Sequence, residues 1–113
     1  MLGRANRLTR DSDFSRVYKG GKRASSAFLR ASVLANNQNV SRFGFVVSKK
    51  HAAKIVIRNR VKRILRDVVE KNLKHLKIGF DVIITGQPNI KNVDASQLRI
   101  ELENLLHKTR LLP

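Results

Sequence analysis

Basic side chains are concentrated between Lys49 and Lys77, where eleven Lys or Arg residues stand against only two acids. A row of cations repeats there at i, i+4 and i+8, with further polar side chains beside it: Arg58, Lys62, Arg66, Asn59, Arg63. Like charges at this spacing destabilise an isolated helix by a few tenths of a kcal/mol per pair. A bound phosphate backbone would reverse that cost. The row therefore predicts a surface that binds a polyanion.

Arginine and asparagine suit nucleic acid for different reasons. The planar guanidinium forks onto phosphate oxygens and stacks on bases, while the amide of Asn59 can address a base edge or a 2′-hydroxyl. The alternative is a solvated helix face that keeps the protein soluble. That alternative explains the charge but not the near absence of compensating acids.

Two aromatic residues lie one helical turn apart near the N-terminus. Phe14 and Tyr18 are flanked by cations and could form a platform on which single-stranded bases stack. Taken without other information, two such residues are more often core anchors of a short helix. Phe43, Phe45 and Phe80 are predicted to lie in the core.

Residues for protein-based catalysis are not arranged in any recognisable pattern. The chain has no Cys, which excludes disulfides and thiolate zinc sites. His51, His75 and His107 do not have metal-ligand spacing, and the eight carboxylates show no pairing. The sequence gives no reason to regard the polypeptide itself as catalytic, and leaves open whether a carboxylate binds a metal ion.

Length and charge limit the number of domains and the kind of partner that the chain can have. The 113 residues fit one domain, and 24 Lys and Arg against 8 Asp and Glu give a formal charge of +16. Nucleic acid is the expected partner of such a chain. No apolar run approaches the roughly 20 residues of a spanning helix, and the first residues lack a secretory signal. We expect a soluble, cytoplasmic protein that does not bind membranes.

The elements that must position these residues follow from hydrophobic periodicity. A helix is predicted from Thr9 to Lys19, capped by Thr9 or Asp11 and stopped by Gly20 and Gly21. Alternating residues predict strands over Ala27–Ala35 and Arg42–Ser48, which we expect to be antiparallel neighbours joined by a polar loop.

The second half of the chain contains the strongest helix signal. Apolar residues recur at about 100° per residue from Ile55 to Leu76, with Gly79 as the predicted terminator. A short buried strand follows from Phe80, before Gly86 and Pro88 interrupt it. Asp94 and Gln97 resemble a capping box at the start of a last amphipathic helix. The residues alone predict three strands and leave the topology open.

The run Arg58-Asn59-Arg60-Val61-Lys62-Arg63-Ile64-Leu65-Arg66 resembles the signature of the bacterial ribonuclease P protein family. Ser48-Lys49-Lys50 is similar to the family's Lys-rich segment, and Asn6-Arg7-Leu8 with Asp13-Phe14 and Val17-Tyr18 is similar to its N-terminal part. The resemblance covers nearly the whole chain and is most specific from Ser48 to Arg66. One departure is Ile55, where the family usually has Ala.

The resemblance implies a single α+β domain over residues 1–113, of order αβββαβα. Its central sheet is packed by helices and contains a left-handed βαβ crossover. It also implies that the N-terminal helix and an open face of the sheet form a cleft for the single-stranded 5′ leader of precursor tRNA.

Roles for particular residues follow from the resemblance in the same way. The implied contacts to the catalytic RNA are Arg58, Asn59, Arg60, Lys62, Arg63 and Arg66. The implied contacts to the leader are Phe14, Tyr18, Ser48, Lys49 and Lys50. The partners would be ribonuclease P RNA and precursor tRNA, with Mg²⁺ held chiefly by the RNA and a protein that is monomeric when free. The RNA would cleave the phosphodiester bond, while the protein would supply substrate affinity.

Three other functions remain as alternatives. A ribosomal protein would share the size, charge and mixed composition. A DNA-binding module is disfavoured because no helix-turn-helix or zipper pattern is present, and a self-sufficient nuclease because no carboxylate cluster is recognisable.

Overall fold

The computed structural model describes residues 2–113 and contains one four-stranded sheet with three α-helices. The helices are α1 (Asp11–Gly20), α2 (Ile55–Asn72) and α3 (Ala95–Lys108). The strands are β1 (Lys22–Ser25), β2 (Leu29–Ala35), β3 (Arg42–Val46) and β4 (Phe80–Gly86). Short 3₁₀ turns cover Arg4–Asn6 and Ile90–Asn92. The order αβββαβα is confirmed.

The strands lie in the order β1-β2-β4-β3. β2 pairs antiparallel with both β1 and β4, whereas β3 pairs parallel with β4. A parallel pair needs a crossover connection, and α2 supplies it. The βαβ crossover is therefore present, and its left-handedness remains a prediction.

The predicted pairing of the second and third strands is wrong, because β4 lies between them. β4 has buried side chains on both faces, including Val82 and Ile84 on one and Ile83 on the other. A strand that is apolar on both faces is stabilised most at the centre of a sheet. β1, which residue patterns missed, is a short edge strand with mostly exposed side chains.

The two faces of the sheet carry cores of different size. The main core lies between one face and helices α2 and α3, and includes Leu29, Phe43 and Leu65. A smaller cluster of Leu8, Val17 and Ile83 lies under α1 on the other face. α1 therefore covers the second face only in part.

Helix boundaries differ from the predictions in three ways. Arg10, with no side-chain cap bond, precedes α1, so neither Thr9 nor Asp11 is its cap. α2 ends at Asn72, whose Nδ2 donates to the Val68 carbonyl at 2.8 Å, so Gly79 is not its terminator. Gly79 instead has φ +89° in the connection before β4, a conformation that favours glycine.

Other predicted boundaries are confirmed. α1 ends at Gly20, and β4 ends at Gly86. Asp94 caps α3, because its Oδ1 accepts a hydrogen bond from the Gln97 amide at 2.8 Å. None of the helices within residues 2–113 combines the length and apolar character needed to cross a bilayer.

Candidate nucleic-acid interface

An open row of side chains crosses the sheet beside α1. Ser25 pairs with Arg30, Arg30 with Thr85, and Thr85 with Val46, so one register row runs through all four strands. Alternation along β4 places Thr85 on the same face as Ile83, which is the face under α1. Ser25 and Arg30 are exposed, and Thr85 and Val46 are half-buried. We call this row, with α1 as its wall, the α1 groove.

Phe14 and Tyr18 form the aromatic side of that wall. Their ring centroids are 6.4 Å apart at an interplanar angle of 47°. Phe14 is half-buried against the small cluster, while Tyr18 is 41% exposed. Both interpretations of the pair thus have support in the structure: Phe14 anchors the helix, and Tyr18 presents a ring to solvent.

Gly44 explains how Phe14 comes so close to the sheet. A Cβ at position 44 would lie 2.5 Å from Cζ of Phe14, which is closer than real Cβ contacts allow. The Phe14 ring therefore rests directly on the backbone of β3. This close contact sets the height of the aromatic wall above the groove.

The opposite flank of α1 is held by a buried carboxylate that sequence reasoning missed. Asp81 is 0% exposed and accepts a forked pair of hydrogen bonds from Arg42, Nε to Oδ1 at 2.9 Å and Nη2 to Oδ2 at 2.7 Å. Arg16 of α1 donates to Oδ2 at 2.6 Å, and Asn36 donates to Oδ1 at 2.9 Å. Asp13 of α1 adds a contact to Arg42 at 3.4 Å. These ion pairs bind one flank of α1 to the sheet.

The charge states in this network are fixed by its geometry. Burial on its own would raise the pKa of Asp81, but hydrogen bonds from Arg42 and Asn36 and the nearby guanidiniums outweigh it and lower that pKa. The hydrogen bond to Asp81 is the largest cause of a raised pKa for Arg42. A carboxylate inside the apolar run of β4 was a signal in the sequence, because buried carboxylates are normally paired.

The basic face of α2 lies on the side away from the core. Asn59, Arg60, Arg63 and Arg66 are exposed, and none of their side chains forms a hydrogen bond or ion pair with another residue of the described chain. Lys62 is half-buried at the border of this face. The free donors of the face are positioned for an anionic partner.

Arg58 differs from its neighbours, because it helps to build the start of α2. Its Nη1 donates to the carbonyls of Ala52 and Ala53, both at 2.9 Å. This closes the loop before the helix and leaves the rest of the guanidinium at the surface. Ile55, the departure from the family signature, is 62% exposed and adds apolar surface at the same place.

Ser48, Lys49 and Lys50 connect the two regions. The half-buried Ser48 accepts hydrogen bonds from the His51 amide, through Oγ at 3.3 Å and its carbonyl at 3.2 Å, and so forms the turn after β3. Lys49 and Lys50 are exposed on that turn. One end of the α1 groove is therefore continuous with the loop that leads into the basic helix.

Metal-binding groups are not gathered anywhere in the described part of the chain. No three His, Cys, Asp or Glu side chains among residues 2–113 lie where they could share a metal ion. The carboxylate with the most contacts, Asp81, already accepts from two arginines and an asparagine. This donor set does not fit a resident metal ion.

The fold and these surfaces define a small basic α+β protein of the class that binds RNA. The family described as Ribonuclease P matches residues 2–110. The chain therefore belongs to the ribonuclease P protein family, as the run from Arg58 to Arg66 predicts. RNA binding and a part in the processing of tRNA 5′ ends, as the protein subunit of a ribonucleoprotein endoribonuclease, follow from that membership.

Relatives and solved structures agree with this assignment. The ribonuclease P protein component of Alkaliphilus oremlandii is 40% identical over 109 residues, covering 95% of this chain and 93% of the relative. That of Caldanaerobacter subterraneus subsp. tengcongensis is 35% identical over 111 residues, covering 98% and 95%. The Staphylococcus aureus RNase P protein superposes with a TM-score of 0.89 at 27% identity, covering 97% of this chain and all of that one. The Thermotoga maritima protein, solved with 1-(4-fluorophenyl)-2-thiourea, gives 0.82 at 30% identity, covering 88% and 96%.

Proposed function

We propose that this chain binds ribonuclease P RNA through the exposed face of α2 and the single-stranded 5′ leader of precursor tRNA in the α1 groove. The observation that carries the proposal is the separation of the two surfaces. The exposed cations Arg60, Arg63 and Arg66 lie on a core-packed helix, and an open sheet row with an aromatic wall lies on the other face of the sheet.

The basic face of α2 suits a folded RNA. Arg60, Arg63 and Arg66 project from a helix whose opposite side is fixed in the main core, so their positions are preorganised. Each phosphate that such a cation neutralises releases counterions, which makes the affinity salt-dependent. Asn59, in the same face, can distinguish RNA through a 2′-hydroxyl.

The α1 groove suits a single strand. Tyr18 offers an exposed ring for base stacking, which contributes about 1 to 3 kcal/mol per base. Arg30 supplies a charge on the floor, and Lys49 and Lys50 supply charge at the end next to α2. The groove thus combines an exposed ring with cations, which is the combination that proteins use to hold unpaired strands.

The polypeptide contributes binding and not bond cleavage in this proposal. Because the donor set of residues 2–113 does not fit a metal ion, we derive no step through protein-bound Mg²⁺. We propose that the Mg²⁺ of the reaction is held chiefly by the RNA, and that the protein acts in the cytoplasm as a monomer when free.

Cleavage of a labelled precursor tRNA tests the proposal directly. The reaction contains a bacterial ribonuclease P RNA at low Mg²⁺, with or without this protein. We expect the protein to restore accurate 5′ processing and to be inactive alone. Binding to every RNA without rescue of cleavage would favour a structural ribosomal protein instead.

Substitution of Tyr18 by Ala tests the groove. We expect the holoenzyme to bind a precursor with a leader about tenfold more weakly, since one stacked base is lost, and to bind mature tRNA unchanged. The measurement is the Kd for both RNAs. Equal loss for precursor and mature tRNA would contradict the assignment of the groove.

A further inference from the structure

A second basic site lies at the corner where β2 ends and β4 begins, on the face covered by α3. This corner pocket has a volume of about 680 Å³, within the range of ligand sites. Its floor contains Val33, Phe80 and Leu111. Its rim carries five cations, and no acid of the described chain lines it: Lys22, Arg23, Lys77, Lys108, Arg110.

The composition of the pocket matches one nucleotide of a single strand. Proteins that hold unpaired nucleic acid combine a cationic track for the backbone with an apolar or aromatic surface for the bases. Phe80 and Val33 are half-buried and so retain surface for a base, while the rim cations are exposed. A cationic ligand would be repelled by this rim, whereas a phosphate would be attracted to it.

Arg110 provides an independent observation. It occupies the left-handed region, with φ +64°, just after α3. The amide of Leu111 donates to the Leu106 carbonyl at 3.0 Å and that of Arg110 to His107 at 2.9 Å, so the helix ends in a Schellman motif. Glycine is the residue that fits this position without strain. An arginine here costs stability and adds a cation to the rim.

The pocket is reached from one end of the α1 groove. Arg23 Nη2 donates to the carbonyl of Tyr18 at 3.3 Å, so the aromatic wall ends beside the edge strand β1. Lys22 and Arg23 are consecutive on β1 and point to its opposite faces. A strand that passes Phe14 and Tyr18 and rounds this edge meets both cations and then the pocket.

We propose that the corner pocket binds nucleotides of the precursor leader that lie beyond those held in the α1 groove, farther from the cleavage site. This rests on the proposed function of the groove. The groove's other end adjoins the loop into α2, the helix that we propose binds the catalytic RNA. The cleavage site is then nearer to that end, and the end at β1 receives the distal part of the leader. Phosphates lie on the rim, and a base lies on Phe80 and Val33.

The variant Arg110→Gly separates this role from a structural one. Glycine relieves the left-handed backbone, so thermal stability should stay the same or rise. The affinity for the leader should fall instead. For single strands, each phosphate contact contributes about 0.7 to the slope of log K against log salt concentration, so losing one contact weakens binding about fourfold near 0.15 M salt. The loss is expected with a leader of about fifteen nucleotides and not with one of about five, lengths that lie near the two ends of the range of single-strand site sizes.

Two control variants match the changes in Arg110→Gly. Asn37→Gly relieves the other left-handed non-glycine backbone, at φ +58°, without removing a charge. Lys91→Ala removes an exposed cation that does not line the pocket. Both should bind the two precursors as the parent protein does. Lys22→Ala, on the rim, should reproduce the loss for the long leader only.

The remaining outcomes each overturn the proposal. The pocket does not hold the distal leader if Arg110→Gly loses affinity equally for both leaders or loses none. If the variant instead binds only the catalytic RNA more weakly, the pocket is assigned to that RNA. Tyr18→Ala in the same assay distinguishes failure of the corner pocket from failure of the α1 groove. If that variant loses leader-dependent affinity while Arg110→Gly does not, the groove stands and the pocket fails.

Discussion

At the residue scale, the buried carboxylate of Asp81 accepts four side-chain hydrogen bonds. Asp81 is buried in the central strand and accepts from Arg16, Arg42 and Asn36. Removing one partner of a buried ion pair is costly, because the other charge is left without compensation. The network therefore helps to hold α1 in position on the sheet.

The substitution Asp81→Asn is expected to reduce the free energy of unfolding by about 3 kcal/mol, because it leaves Arg42 largely buried without its carboxylate. Urea unfolding followed by circular dichroism measures this. Asp11→Asn, an exposed acid in the first turn of α1, is the matched control and should cost less than about 1 kcal/mol. Similar small losses for both variants would show that the network contributes little.

The lowered pKa of Asp81 also predicts a pH dependence. A carboxyl whose pKa is lower in the folded state stabilises the fold above its unfolded pKa, and this stabilisation is lost as pH falls through the folded pKa. The difference in stability between the parent and Asp81→Asn should be constant near neutral pH and shrink below about pH 4. Urea midpoints from pH 7 to pH 3 measure it, and a constant difference would contradict the assigned shift.

Residue types predicted part of the site. The basic row and its free donors were readable, because helical spacing and charge determine which face is exposed. The Asp81 network was not, because its partners lie 39 to 65 positions away in sequence and meet only through strand pairing. The backbone role of Arg58 was hidden for a similar reason, since it depends on the loop before the helix.

At the element scale, α2 joins the core and the surface. Val61, Leu65 and Val68 pack inward, while Arg60 and Arg63 face solvent. Asp67 of this helix pairs at 3.8 Å with Arg99 of α3 and not with a cation of this face. The helix is therefore held by apolar contacts that do not involve its cations.

Charge reversal at Arg63 should weaken holoenzyme assembly and leave the fold intact. Arg63→Glu removes one phosphate contact and adds repulsion, so we expect the affinity for ribonuclease P RNA to fall at least tenfold, with the salt slope reduced by about 0.9. Arg99→Glu is the control, since its exposed pair with Asp67 contributes little. Filter binding at several salt concentrations and circular dichroism measure the effect, and unchanged assembly with a normal spectrum would refute it.

Helices were more predictable than strands at this scale. The long apolar stripe of α2 is a local pattern, whereas β1 has four residues and mostly exposed side chains. Strand order depends on long-range pairing, so the polar loop after β2 predicted a hairpin that the sheet does not contain. The resemblance to the family supplied the fourth strand and the crossover, which periodicity could not.

At the scale of the whole molecule, the sheet separates the two surfaces that we propose bind RNA. The α1 groove lies on one face, and α2 lies on the other with α3. They meet only near the turn that contains Lys49 and Lys50. This arrangement would let one small protein touch two RNAs without competition between them.

Effects at the two surfaces should therefore be additive. We expect Tyr18→Ala to reduce leader affinity and Arg63→Ala to reduce assembly. The double variant should show each loss unchanged to within about 0.5 kcal/mol, as for distant sites. Precursor binding at saturating ribonuclease P RNA, together with assembly, measures both. A large departure from additivity would mean that the surfaces are coupled through the sheet.

The position of β4 also bears on how the chain is made. β4 is the last strand in sequence but lies second from one edge of the sheet, and β3 has no other strand neighbour in the described chain apart from a single bridge between Arg7 and Phe43. Synthesis delivers the N-terminal strands first. A nascent chain that ends before Gly86 cannot complete the sheet, so neither face is formed on the ribosome until most of the polypeptide has emerged. A chain truncated before β4 lacks the strand that joins β2 to β3, so we expect such a truncation to remove both proposed surfaces together.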